Sequence, residues 1–196
     1  MTLKIILAVI IGAVVGFFIP DSFYSVTDTL LTIGLCLLLF FVGIDIGKNK
    51  NVFNDIKNSG RLFFLIPIGV TIGSLLGAIG VGFILGYPVN ESGAIGSGMG
   101  WYTLSSIIIA PYSSELSVLA FLTNVVREVL AIAMIPIIAK YIGFNEAIAP
   151  AGATAMDTTL PIISRNTNSE TAILSFSTGL ILSTLVPILV PLFLFK

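Results

Sequence analysis

Asn124, Arg127 and Glu128 lie in the stretch FLTNVVREVLAIAMIP, inside an apolar segment of about 116–139 that is long enough to cross a bilayer. Spacings of three and four put the three side chains on one helical face. A charge at the bilayer centre costs at least about 2.5–3.5 kcal/mol per residue. Such residues therefore turn inward, toward partners, water or a solute. Two chemistries fit them: an Arg127–Glu128 ion pair that locks helices together, or a transport site. Asp157, flanked by Thr158 and Thr159, is a further carboxylate set in apolar sequence.

Composition narrows the chemistry. The chain has 196 residues, of which 56% are hydrophobic and 10% charged, and its mean hydropathy is +1.09. That little charge identifies an all-α polytopic membrane protein, read as one transmembrane domain over 1–196. The net charge of −1 gives no basic footprint for nucleic acid. Histidine is absent, which removes histidine catalysis, histidine metal sites and a histidine proton relay. The single cysteine, Cys36, cannot build a disulfide or a thiolate cluster within the chain. No metal or cofactor is expected. An intramembrane hydrolase would need two close catalytic aspartates or an activated serine, so the chain is not read as an enzyme.

The elements that must position these residues follow from the apolar runs. Spanning helices are expected at about 3–19, 26–47, 62–87, 116–139 and 171–195. Gly12 and Gly16 in the first, and Gly69, Gly73 and Gly77 in the third, are small residues at four-residue steps, as on helix-packing faces. Asp45 lies near the end of the second helix and reads as an interfacial acid or a site residue. The basic loop 48–61 carries Lys48, Lys50, Lys57 and Arg61 against Asp55. The positive-inside rule puts this loop, and with it the N-terminus, in the cytoplasm.

Two segments between the helices are irregular. In about 92–110, Gly96, Gly98 and Gly100 are followed by Trp101, Tyr102 and Ser105; glycine weakens a helix by about 1 kcal/mol per residue. In about 147–163, Pro150, Gly152 and Pro161 interrupt the run around Asp157. At membrane depth a broken helix is tolerated only where it is buried in protein or lines a cavity. Its freed amides can take an anionic group, although glycine for close packing alone is the other reading. Paired interrupted segments point to a secondary-transporter site and to an inverted-repeat-like architecture of five spans plus two broken or re-entrant elements. If both are re-entrant, eight of the nine Lys and Arg lie inside or buried, and the C-terminus with Lys196 is outside.

Three motifs occur in order: Ser97-Gly98-Met99-Gly100-Trp101-Tyr102-Thr103-Leu104-Ser105; Asn124-x-x-Arg127-Glu128 with Ala131-Ile132 and Ile135-Pro136; and Gly152-Ala153-Thr154-x-Met156-Asp157-x-Thr159-Leu160-Pro161. Together they resemble the LysO-type lysine exporter family, as does Phe41-Val42-Gly43-Ile44. The resemblance covers nearly the whole chain. It implies export of L-lysine, with lysine analogues as further candidates, across a bacterial inner membrane in exchange for protons. Full-length members carry additional N-terminal helices. Some are split into two chains, and this one resembles the larger partner, which implies a small three-helix membrane subunit, a homo-oligomer, or both.

The implied substrate presents one carboxylate and two ammonium groups, each needing a partner in hydrocarbon. Glu128 and Asp157 are the expected ammonium partners, with a cation–π face from Trp101 or Tyr102. The amides around Gly98–Gly100, or Arg127, are expected to take the carboxylate. Ser105, Asn124, Thr158 and Thr159 complete the expected binding set. Without histidine a carboxylate must carry the proton, and Glu128 is the expected carrier, with Arg127 and Asp157 beside it. The alternatives are a scaffold subunit whose Arg–Glu pair is structural, or an antiporter for another small solute.

Overall fold

The computed structural model describes residues 60–194 continuously, together with helical positions 11–12, 14–18, 33, 37, 40–41 and 44. Most of the expected spans 3–19 and 26–47, with Cys36 and Asp45, most of the basic loop, and Lys196 lie outside the described residues.

All regular structure in residues 60–194 is helical. Helix α1 is Leu62–Leu85; it ends at Gly86, whose φ of 81° is the left-handed conformation that glycine adopts without strain. Pro88 starts α2, Val89–Gly96, and a link of residues 97–101 leads to α3, Tyr102–Ile109. Helix α4 is Ser114–Tyr141, capped by the Ser113 hydroxyl, which accepts from the Leu116 N–H at 3.2 Å. It runs about one turn longer than the apolar segment read from sequence, because the cap and Lys140 extend it past its apolar core. Two 3-10 turns follow, Glu146–Ile148 and Gly152–Met156. Helix α5, Leu160–Asn166, has Pro161 at its start, where a fixed φ favours helix entry. Helix α6 is Ser169–Leu194.

Three of these helices, α1, α4 and α6, are long and apolar enough to cross a membrane. They differ in burial. Half of the most apolar window of α6 is buried, against 11% for α1 and 22% for α4. Helix α6 is therefore the axis, and α1, α2, α3, α5 and the Gly152–Met156 turn pack around it. Phe64, Leu65, Ile68, Ile72 and Leu76 of α1 stay exposed, as lipid-facing residues do.

Two apolar clusters divide α6 by its length. One joins Ala94, Ile95 and Met99 to Leu182, Val186, Val190 and Leu194 in its C-terminal half. The other joins Ala147, Ile148, Ala151, Ala155, Ile162 and Ile163 to Leu174 in its N-terminal half, with Ala131, Ile135 and Ala139 of α4. The first interrupted stretch thus packs on the C-terminal half of the central helix and the second mainly on its N-terminal half, although Ala153 and Met156 of the second also reach the C-terminal half.

Candidate functional site

The two interrupted stretches meet at their breaks. The N–H of Ala153 donates to the carbonyl of Met99 at 2.8 Å. Met99 has φ 45°, Gly100 φ 101° and Gly152 φ 62°, so the chain turns left-handed on both sides of this contact. A Cβ on Gly152 would overlap the Met99 carbonyl oxygen, and one on Gly179 of α6 would overlap the Met156 backbone. These glycines are what let the backbones approach. Ser175 of α6 adds a bond from its hydroxyl to Ala155 O, 2.7 Å.

Asn124 fastens the first break to α4. Its Oδ1 accepts from the Gly100 N–H at 2.7 Å, while its Nδ2 donates to Ala120 O at 2.9 Å and to Ile95 O at 3.4 Å. Gly98 makes room for it, since a Cβ there would lie 2.5 Å from Asn124 Nδ2 and 2.9 Å from Ser105 Oγ. The amides of residues 98, 99 and 101 bond to Ile95, Gly96 and Gly98 carbonyls. With Gly100 given to Asn124, this run of amides is already committed, which departs from the expected role of Gly98–Gly100 as an open anion cradle. The first turn of α3 has no side-chain cap at Trp101, so its amides retain donor capacity.

Arg127 and Glu128 diverge, because successive helix positions are about 100° apart. Arg127 Nη1 donates to Ser74 Oγ of α1 at 2.8 Å and Nε to Pro150 O at 3.3 Å. Glu128 accepts a hydrogen bond from the Thr158 hydroxyl. Among the described residues no ion pair joins Arg127 to Glu128. Thr158 also faces Asp157: its N–H donates to Asp157 Oδ1 at 2.6 Å, and its hydroxyl is 3.4 Å from the same oxygen. Thr158 therefore sits between two carboxylates from separate elements. Tyr102 lies in the electrostatic field of both acids and packs edge-on against Phe121 at 5.4 Å.

The expected site residues thus separate into three groups. Tyr102, Glu128, Asp157 and Thr158 form one half-buried polar cluster. Gly98, Gly100, Ser105, Asn124 and Thr159 are buried and hold the crossing together; Thr159 bonds its hydroxyl to Thr154 O at 2.8 Å and Ser105 to Trp101 O at 2.9 Å. Trp101 packs against the apolar cluster of α2 and the C-terminal half of α6. Arg127 stands apart, on the side of α1. Sequence reading missed Ser74, Thr154 and the Met99–Ala153 contact. Thr154 was visible as a hydroxyl beside Gly152, but nothing in α1 distinguished Ser74 from a packing residue.

Comparison with known proteins places this sequence in a family. The family described as lysine exporter LysO matches residues 6–194. A Haemophilus influenzae protein provisionally described as a lysine exporter is 31% identical over 191 residues, which are 97% of this chain and 96% of that protein. The Escherichia coli K12 lysine exporter LysO is 36% identical over 160 residues, 81% of this chain; the match spans 53% of that relative, about half its length. No solved structure matches. The exposed apolar helices and these relatives together make this a multi-pass membrane protein, and the chain belongs to the lysine exporter LysO family.

Proposed function

We propose that this chain exports L-lysine across a bacterial inner membrane in exchange for protons, as the site-bearing part of a two-chain exporter. The observation that carries the reading is the convergence of Glu128 and Asp157 on Thr158, beside Tyr102. Two intramembrane carboxylates from different elements fit a solute with two ammonium groups. Tyr102 offers a cation–π face, and the uncapped first turn of α3 offers amides for the substrate carboxylate. The names of the family and of the relatives support lysine as the substrate.

Coupling follows from charge. Moving a cation out against an inside-negative potential costs about 2.3 kcal/mol per charge per 100 mV. Proton entry supplies that work, and Glu128 is the proposed carrier because its carboxylate faces the cluster rather than Arg127. Arg127 and Asn124 hold the two breaks in place. Packing of the first interrupted stretch on the C-terminal half of α6 and of the second mainly on its N-terminal half supports opposed re-entrant elements, the arrangement that suits alternating access. The N-terminus is then cytoplasmic and the C-terminus outside.

The test is lysine counterflow in proteoliposomes containing this chain, with and without a small three-helix membrane protein encoded beside its gene. Counterflow that disappears in Glu128→Gln supports the reading. No lysine counterflow in either preparation, or full pH-gradient-driven exchange by Glu128→Gln, would reject the substrate or the carrier respectively.

A further inference from the structure

Helices α3 and α4 run antiparallel, joined by the Ser117 hydroxyl, which donates to the Ser106 carbonyl at 2.7 Å. One helical turn further along each helix stand Tyr102 and Phe121. Their rings meet edge to face, with centroids 5.4 Å apart and planes at 84°. Ser117, Phe121 and Glu128 follow one another at steps of four and seven residues, so they share one strip of α4. Glu128 lies two turns beyond Phe121, about 10 Å along the axis. The aromatic pair is therefore the next layer beyond the carboxylate cluster, on the side of α3.

Tyr102 belongs to both ends of the proposed substrate position. It is the first residue of α3, whose uncapped first turn is assigned above to the substrate carboxylate. It also lies in the field of Glu128 and Asp157, which are assigned to the ammonium groups. A substrate held at those two places carries its hydrocarbon chain past the Tyr102 ring, and Phe121 holds that ring in place. Two carbon rings suit methylenes, whereas a polar atom in the chain would lose water there without gaining a hydrogen bond. Neither ring is fully buried among the described residues. The pair is built by contacts among those residues, so residues 1–59 can extend this wall but are not needed to form it.

We propose that the rings of Tyr102 and Phe121 form the subsite for the aliphatic chain of the substrate, with Phe121 as the positioning residue that fixes the Tyr102 ring. The substrate class is then a cationic amino acid whose side chain is unbroken hydrocarbon up to its terminal cation. The inference rests on the lysine reading above and adds a contact that neither carboxylate makes.

The test compares lysine with 4-oxalysine as inhibitors of labelled-lysine counterflow in the proteoliposomes described above. In 4-oxalysine an ether oxygen replaces the γ-methylene, so its charges and length match those of lysine. In the parent it is expected to inhibit about tenfold less strongly than lysine, because the ether oxygen is desolvated against the rings. In Phe121→Ala that ratio should fall to about twofold or less, while Phe121→Tyr, which keeps a ring, should preserve it. Phe121→Leu fills the space without a ring; it guards against misfolding of the alanine variant and should also narrow the ratio. A purely structural role for Phe121 would weaken both compounds alike and leave the ratio where it was. A ratio unchanged in Phe121→Ala or Phe121→Leu, or equal inhibition by the two compounds in the parent, would overturn the subsite while lysine transport stands. A parent with no lysine counterflow to inhibit would instead reject the lysine reading, and the subsite with it.

Discussion

The N–H of Ala153 bonds to the carbonyl of Met99 at 2.8 Å, backbone to backbone, and so ties one interrupted stretch to the other. No side chain mediates the contact. It exists because Gly152 carries no Cβ: a methyl there would overlap Met99 O and lie 3.0 Å from Arg127 Nη2.

Gly152→Ala is therefore expected to be costly. The left-handed φ of 62° adds about 1–2 kcal/mol for an L-residue, and loss of the Ala153–Met99 bond adds about 0.5–1.5 kcal/mol. Gly86→Ala is the control, with φ 81° but open space around its Cβ. Thermal unfolding in detergent should show a clearly larger drop in Tm for Gly152→Ala. Equal drops would mean that the crossing is not held by this contact.

Thr158 stands between Glu128 and Asp157, and its hydroxyl is what separates them. Thr158→Val removes the donor while keeping the volume. Lysine binding or counterflow should weaken by about tenfold, the scale of one hydrogen bond to a charged group. Thr158→Ser should retain most of it. Binding that tracks side-chain bulk rather than the hydroxyl would count against a bridging role.

Asn124 satisfies one donor and one acceptor of the first interrupted stretch, and one acceptor on its own helix. Asn124→Leu leaves the Gly100 N–H buried without a partner, at a cost of about 1–3 kcal/mol. Steric-trap unfolding in bicelles measures that loss directly. A variant as stable as the parent would show that Gly100 has found another acceptor.

Glu128 and Arg127 are neighbours in sequence but serve different surroundings. Glu128→Gln is expected to abolish lysine exchange driven by a pH gradient with little change in Tm, since Gln still accepts from Thr158. Ser74→Ala is expected to lower stability by about 1 kcal/mol, through loss of one bond to Arg127, and to leave coupling intact. Fluorescent pH measurement inside proteoliposomes separates the two. Proton movement at the parent rate in Glu128→Gln would reassign the carrier.

Much of this was already legible in residue types. Long apolar runs, nearly free of charge, are helices wherever they lie, because hydrocarbon leaves backbone groups no other partner; α1, α4 and α6 follow from that. Glycine and proline marked the irregular stretches near residues 97–101 and 149–159, since those residues weaken or break a helix locally. The spacing of Asn124, Arg127 and Glu128 placed all three toward the protein side of α4, again a local property. The grouping of those residues was decided only in three dimensions. Helical spacing does not say which neighbour fills each 100° sector, so Arg127 was equally compatible with Glu128 and with Ser74, 53 positions away. The glycines near residue 100 were equally compatible with an anion cradle and with Asn124. Backbone contacts such as Met99 with Ala153 carry no side-chain signature at all. They depend on how two breaks pack against Gly179 on the central helix, and sequence composition holds no record of that distance.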